Sequence, residues 1–133
     1  MQTFGKIQRQ CVEKEAHQEK EKTETERVEK MKIYISGAIT GTDDYLEWFN
    51  TAAEFIKAKG HEPVNPCDLN KILNPATTTY FDYMTVDLAL LSICDAIYML
   101  KGWENSRGAK AENLTAQAND GMKILYEGIN YDF

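Results

Sequence analysis

Ser106 and Glu112 are the residues whose types and spacing first suggest chemistry. They bound the segment Ser106-Arg107-Gly108-Ala109-Lys110-Ala111-Glu112, which follows the apolar run Ala96-Ile97-Tyr98-Met99-Leu100 and the turn Gly102-Trp103-Glu104-Asn105. A buried strand that empties through such a turn into a helix presents free backbone N–H groups and the positive end of the helix dipole, and both favour an anion. A Ser and an Arg at the turn suit a phosphate. Glu112 would fall on the inner side of the second helical turn, pointing toward whatever the phosphate is attached to. That combination suits chemistry on a nucleotide. Taken singly, Glu112 reads equally well as a surface residue on a solvated face with Arg107 and Lys110.

A second Gly-containing turn, Ser36-Gly37-Ala38-Ile39-Thr40-Gly41, ends the β-rich run Lys32-Ile33-Tyr34-Ile35-Ser36 and precedes a helix. Two glycines let a backbone approach a ligand, as phosphate-binding turns require. The turn is neither a GxGxxG nor a Walker A sequence, and a purely structural turn would read the same. Tyr34 could reach the same pocket from the strand below, or pack in the core. Asp87 interrupts the apolar helical stretch Val86-Asp87-Leu88-Ala89-Leu90-Leu91 and faces either solvent or a cleft. Asp95 reads as a turn residue before the next strand.

The elements that must position these residues alternate along the chain. Lys32–Ser36 is the first strand. Asp43 or Asp44 can cap a helix through about Lys59, with Leu46, Phe49, Ala52, Ala53 and Ile56 on one face and Gly60 as its stop. His61 to Asn65 reads as a second strand, and Pro66 begins a long loop. Tyr80 to about Cys94 reads as a helix with Met84, Leu88 and Leu91 inward. Ala96 to Leu100 is the third strand, Ser106 to Asp120 the third helix, and Met122 to Tyr126 the last strand, preceded by Gly121. Strands alternating with helices imply parallel strands joined by right-handed crossovers. The expected fold class is α/β, a doubly wound, mostly parallel sheet of flavodoxin or Rossmann type.

Residues 1–30 are dense in Glu, Lys, Thr and Arg and lack an apolar stripe, so they read as a charged helical or disordered arm. The domain is expected from Met31 onward, through about residue 127, with the last few residues following it to 133. The arm is neutral, so the net charge of −6 falls on residues 31–133. An acidic surface repels a polyanion, which makes duplex nucleic acid a poor partner while leaving room for a small nucleotide held by local N–H groups. Cys11, Cys67 and Cys94 show no CxxC spacing, and His17 and His61 stand far apart, so neither a disulfide framework nor a zinc site is expected. No apolar stretch approaches 18 residues and no signal-peptide core is visible, so no membrane association and a cytoplasmic location are expected.

Four pieces of the chain resemble one family: Ile33-Tyr34-Ile35-Ser36-Gly37-Ala38-Ile39-Thr40-Gly41, Gly60-His61-Glu62-Pro63-Val64-Asn65-Pro66, Asp87 with Cys94-Asp95-Ala96, and Gly102-Trp103-Glu104-Asn105-Ser106-Arg107-Gly108-Ala109. They look like the DUF4406 family, which is similar to the nucleoside 2-deoxyribosyltransferases and the 2′-deoxynucleoside 5′-phosphate N-hydrolases. The resemblance covers nearly all of residues 31–127 and none of the arm. It implies that Glu112 is a nucleophile attacking the anomeric carbon and that Asp87 is the acid handling the departing base. It also implies that Tyr34 orients the nucleophile and that Ser106 contacts a phosphate. Ser36, Gly37, Ala38, Ile39 and Gly41, with Arg107 and Gly108, would line the ribose and phosphate. Related enzymes borrow residues from a second subunit, so a homo-oligomer is implied, with no metal and no organic cofactor. The hydrolases carry small residues where this chain has Arg107 and Lys110. Arg107 would either strengthen phosphate binding or fill the pocket, and Glu104 would repel a phosphate if it pointed inward.

Cleaving an N-glycosidic bond develops oxocarbenium character at C1′, which a carboxylate stabilises or traps. A second carboxylic acid, kept protonated by burial, can donate to the leaving base. Glu112 and Asp87 supply that pair. The leading expectation is therefore an N-glycosidase or deoxyribosyltransferase acting on a (deoxy)nucleoside 5′-phosphate, with Ser106 favouring a nucleotide over a bare nucleoside. The alternative is a non-catalytic protein that binds or sequesters a nucleotide, and a third reading is a scaffold whose charged arm contacts a partner.

Overall fold

A computed structural model of the chain describes residues 30–39 and 43–133. The charged arm and Gly41, with its neighbours Thr40 and Thr42, lie outside the described residues. Four strands form one all-parallel sheet: β1 (Lys32–Ser36), β2 (Glu62–Val64), β3 (Ala96–Met99) and β4 (Lys123–Tyr126), in the order β2-β1-β3-β4. Three helices connect them in turn: α1 (Tyr45–Ala58), α2 (Tyr80–Ser92) and α3 (Arg107–Ala118). This is the doubly wound α/β arrangement of Rossmann and flavodoxin-like folds. Register follows the apolar runs, with Ile33, Tyr34, Ile35 and Ser36 of β1 opposite Ala96, Ile97, Tyr98 and Met99 of β3.

Both central strands are buried on both faces, as parallel strands covered by helices must be. Side chains alternate with period two. Ile33, Ile35, Ala96, Tyr98 and Leu125 pack with Phe49, Ala52 and Ile56 of α1 on one face. Tyr34, Ile97 and Met99 pack with Leu91, Ala109 and Ala116 of α2 and α3 on the other. Full burial of a side chain such as Ile56 contributes roughly 1.5–3 kcal/mol. The same alternation points Tyr34 and Ser36 toward α2 and α3.

Three local expectations need correction. Asp44 occupies the N-cap of α1, but its side chain makes no capping bond. Leu46 shares the stripe of Phe49, Ala52 and Ile56, yet it is exposed, because the stripe extends one turn beyond the packed part of the helix. The segment after Pro66 is not all loop: Asn65 accepts from the Cys67 N–H and caps a 3₁₀ turn over Pro66–Lys71. Asp95 serves the structural role expected of it, its Oδ2 accepting from the Lys32 N–H at 2.8 Å where β1 begins.

Candidate active site

The chain crosses from one side of β1 to the other between β2 and β3, so the carboxyl ends of β1 and β3 form the switch point where open α/β sheets bind ligands. A cavity of about 710 Å³ lies there, within the size range of small-molecule sites. Its walls come from the segments that follow each of the three strands: Gly37 and Ile39 after β1, Pro66, Cys67 and Asn70 after β2, and Asn105 to Ala109 after β3. Tyr80, Tyr83, Met84 and Asp87 of α2 close one side, and Glu112 reaches in from α3.

The α2 contribution follows from helical geometry. Tyr80, Tyr83, Met84 and Asp87 stand at i, i+3, i+4 and i+7, which places them on one stripe. Thr79 and Asp82 fix where that helix starts. The Asp82 N–H donates to Thr79 Oγ1 at 3.1 Å, and the Thr79 N–H donates to the Asp82 carboxylate at 2.9 Å. Such a cap contributes about 1 kcal/mol. These bonds hold the Asp82 carboxyl below its ordinary range. Asp87 therefore faces the cleft rather than solvent, and shares it with Glu112.

Glu112 is 5% exposed. Its Oε2 accepts from the Tyr34 hydroxyl, and its Oε1 accepts from Ser36 Oγ at 2.8 Å. Both carboxylate oxygens are thus held by O–H donors from alternate positions of β1. Tyr34 is a core residue as well as a site residue, fully buried on the α2/α3 face. Ser36 points at Glu112 from beneath the cleft and, like Tyr34 and Ala38, is not one of its wall residues. Residue types and motifs alone give no sign of that bond between Ser36 and Glu112.

Burial raises the Glu112 carboxyl from its ordinary range to about 7, against the opposing pull of the Tyr34 and Ser36 hydrogen bonds and with help from the Asp87 charge. Burial likewise raises Asp87 to about 6. Asp87 Oδ1 is buried without a hydrogen-bond partner. Two interacting acids titrate as a pair, so these values describe two steps shared between them. Hydroxyl donors stabilise an ionised Glu112 and Asp87 Oδ1 has none, so the forms of the singly protonated pair include one with Glu112 ionised and the proton on Asp87. The Tyr34 hydroxyl, buried beside both acids, is raised well above its usual range and stays a donor.

The other wall is the first turn of α3. Ser106 caps the helix by accepting from the Ala109 N–H at 3.1 Å. That bond uses an oxygen lone pair and leaves the hydroxyl hydrogen available. The N–H groups of Arg107 and Gly108 precede the first intrahelical bonds and remain free for an anion. Arg107 lines the cleft with its guanidinium 5.6 Å from the Tyr80 ring centroid, so it rests on α2 at the rim instead of filling the pocket. Glu104 and Lys110 are exposed and lie outside the cleft walls.

Two glycines serve packing. A Cβ on Gly37 would stand 3.0 Å from Leu100 Cβ and Cδ1, so glycine lets the turn after β1 sit against the end of β3. A Cβ on Gly108 would meet Met84 Sδ at 3.3 Å and the Tyr80 hydroxyl at 3.5 Å, so glycine there lets α3 approach α2. Sequence reasoning did not single out Asn70, Tyr80, Tyr83 or Cys67. The helical spacing of Tyr80 and Tyr83 with Asp87 was the available signal.

Among the described residues, no cluster of three or more His, Cys, Asp or Glu side chains could hold a metal ion, and no helix is long and apolar enough to cross a membrane. No curated protein and no solved structure matches the chain. A family model described as a domain of unknown function, DUF4406, matches residues 31–126, and the chain belongs to that family.

Proposed function

We propose that the protein cleaves the N-glycosidic bond of a nucleoside or deoxynucleoside 5′-phosphate, with Glu112 as nucleophile and Asp87 as proton donor to the base. The observation that carries this reading is the paired restraint of Glu112, whose two oxygens are held by Tyr34 and Ser36 in a cleft shared with Asp87.

In the first step an ionised Glu112 oxygen bonds to C1′ as the C1′–N bond breaks. The bonding pair leaves with the base nitrogen, and the Asp87 proton neutralises it. In the second step water adds to C1′, its proton passes to Asp87, and the bond to Glu112 breaks, restoring both acids. A second nucleobase in place of water would make the reaction a transfer. Tyr34 and Ser36 aim the carboxylate and stabilise its charge when it is released. The phosphate sits on the Ser106 hydroxyl and the Arg107 and Gly108 N–H groups, with the Arg107 side chain at the rim.

Incubation with a panel of nucleoside and deoxynucleoside 5′-monophosphates, with free base followed by chromatography, tests the reading. Release of base supports it. Nucleotide binding without release from any member supports the binding-protein alternative instead.

A further inference from the structure

The strand order separates the two ends of the cleft. The segment after β2 lies on one side of β1, and the segment after β3 lies on the other. With the phosphate on the first turn of α3, a nucleotide spanning the cleft over Glu112 places its base against the 3₁₀ turn that follows β2. Asn70 is on that turn, and Tyr83 of α2 stands beside it. The Tyr83 hydroxyl donates to Asn70 Oδ1 at 3.5 Å. With Tyr83 donating to the carbonyl oxygen, the Nδ2 hydrogens are the donors this cleft-lining amide has left for a ligand.

We infer that Asn70, positioned by Tyr83, reads the base edge as a hydrogen-bond donor and selects bases that carry an oxo group over those that carry an amino group at the same position. This rests on the nucleotide reading proposed above. An Nδ2 donor meets an acceptor on an oxo base such as hypoxanthine or uracil. Against adenine or cytosine it meets another donor, and two donors brought face to face by a base that displaces the intervening water leave both unpaired. Pro66 and Tyr83 offer the apolar surface beside it, which supports the ring without reading its edge.

Matched nucleotides test this, because the members of each pair differ only in the oxo or amino group and in the hydrogen on the adjacent ring nitrogen. The deoxyinosine and deoxyadenosine 5′-monophosphates form one pair, and the deoxyuridine and deoxycytidine 5′-monophosphates the other. Base release gives kcat/KM for each, and calorimetry on Glu112→Gln gives binding without turnover. The expected result is a preference of roughly tenfold for the oxo member of each pair, the worth of one hydrogen bond and its avoided clash. Asn70→Asp, which can only accept, reverses the order. Asn70→Ala and Tyr83→Phe bring the members of each pair within about twofold of one another. Equal treatment of the pairs by the wild type, or an unchanged order in Asn70→Asp, overturns the inference while leaving the proposed reaction intact. Failure of every nucleotide to bind or react overturns both.

Discussion

The Tyr34 hydroxyl on β1 donates to Oε2 of Glu112 on α3, across 78 positions of sequence. Ser36 takes the other oxygen of the same carboxylate, two residues along the same strand face. A surface glutamate needs neither partner. A glutamate that is 5% exposed needs them to carry a charge at all.

Removing either hydroxyl should therefore act on turnover more than on binding. Tyr34→Phe and Ser36→Ala should each lower kcat by about 10- to 100-fold, the worth of one hydrogen bond to a charged group, with KM little changed. The double variant should lose less than the product of the two, because both donors serve one carboxylate. Steady-state kinetics of the four proteins checks this.

The acid pair sets the pH dependence of the reaction. Glu112 must be ionised and Asp87 protonated, so the rate should be bell-shaped, with limbs set by the pair's values of about 6 and about 7. Asp87→Asn should abolish the alkaline limb and slow the reaction most for bases that leave poorly. A pH–rate profile of wild type and variant measures both limbs.

Stability should move the other way from the usual carboxylate. Glu112 titrates near 7 in the folded chain and near its ordinary 4.5 when unfolded. Between those values the native state holds a proton that the unfolded state has lost, so stability falls as pH rises through that window and levels off above it. The Glu112 contribution is about 3 kcal/mol, and Asp87 adds in the same direction. Urea denaturation from pH 4 to 8 should show this fall in the wild type and a flatter curve in Glu112→Gln.

Gly37→Ala tests the seat of the β1 turn. The added methyl meets Leu100 Cβ, which is anchored at its backbone and has little room to give. A cost of about 1–3 kcal/mol is expected, read as a drop in Tm of several degrees for each kcal/mol. Gly108→Ala meets only the ends of the Met84 and Tyr80 side chains and should cost less.

Much of this architecture was legible because parallel strands are apolar runs and each connecting helix carries a 3.6-residue stripe. The stripe failed at Leu46, since periodicity names a face without saying how far along the helix the core extends. The acid pair was visible as residue types: Ser106 at a helix start, Glu112 two turns in, Asp87 in an apolar run. Its geometry was not. Whether Ser36 lines a ligand or holds Glu112 depends on which way β1 faces α3, a tertiary fact. Asn70 and Tyr83 escaped notice because the 3₁₀ turn after Pro66 carries no apolar period, and its position against α2 comes only from the crossover.

The central claim is that Glu112 performs the bond-breaking step, and one measurement addresses it most directly. Wild type and Glu112→Gln are incubated with the panel of 5′-monophosphates, free base is quantified by chromatography, and nucleotide binding is measured on both proteins in parallel. The account predicts base release by the wild type and a loss of at least about 1000-fold in Glu112→Gln, with binding retained. Base release that survives in Glu112→Gln, or its absence from the wild type across the whole panel, would contradict it.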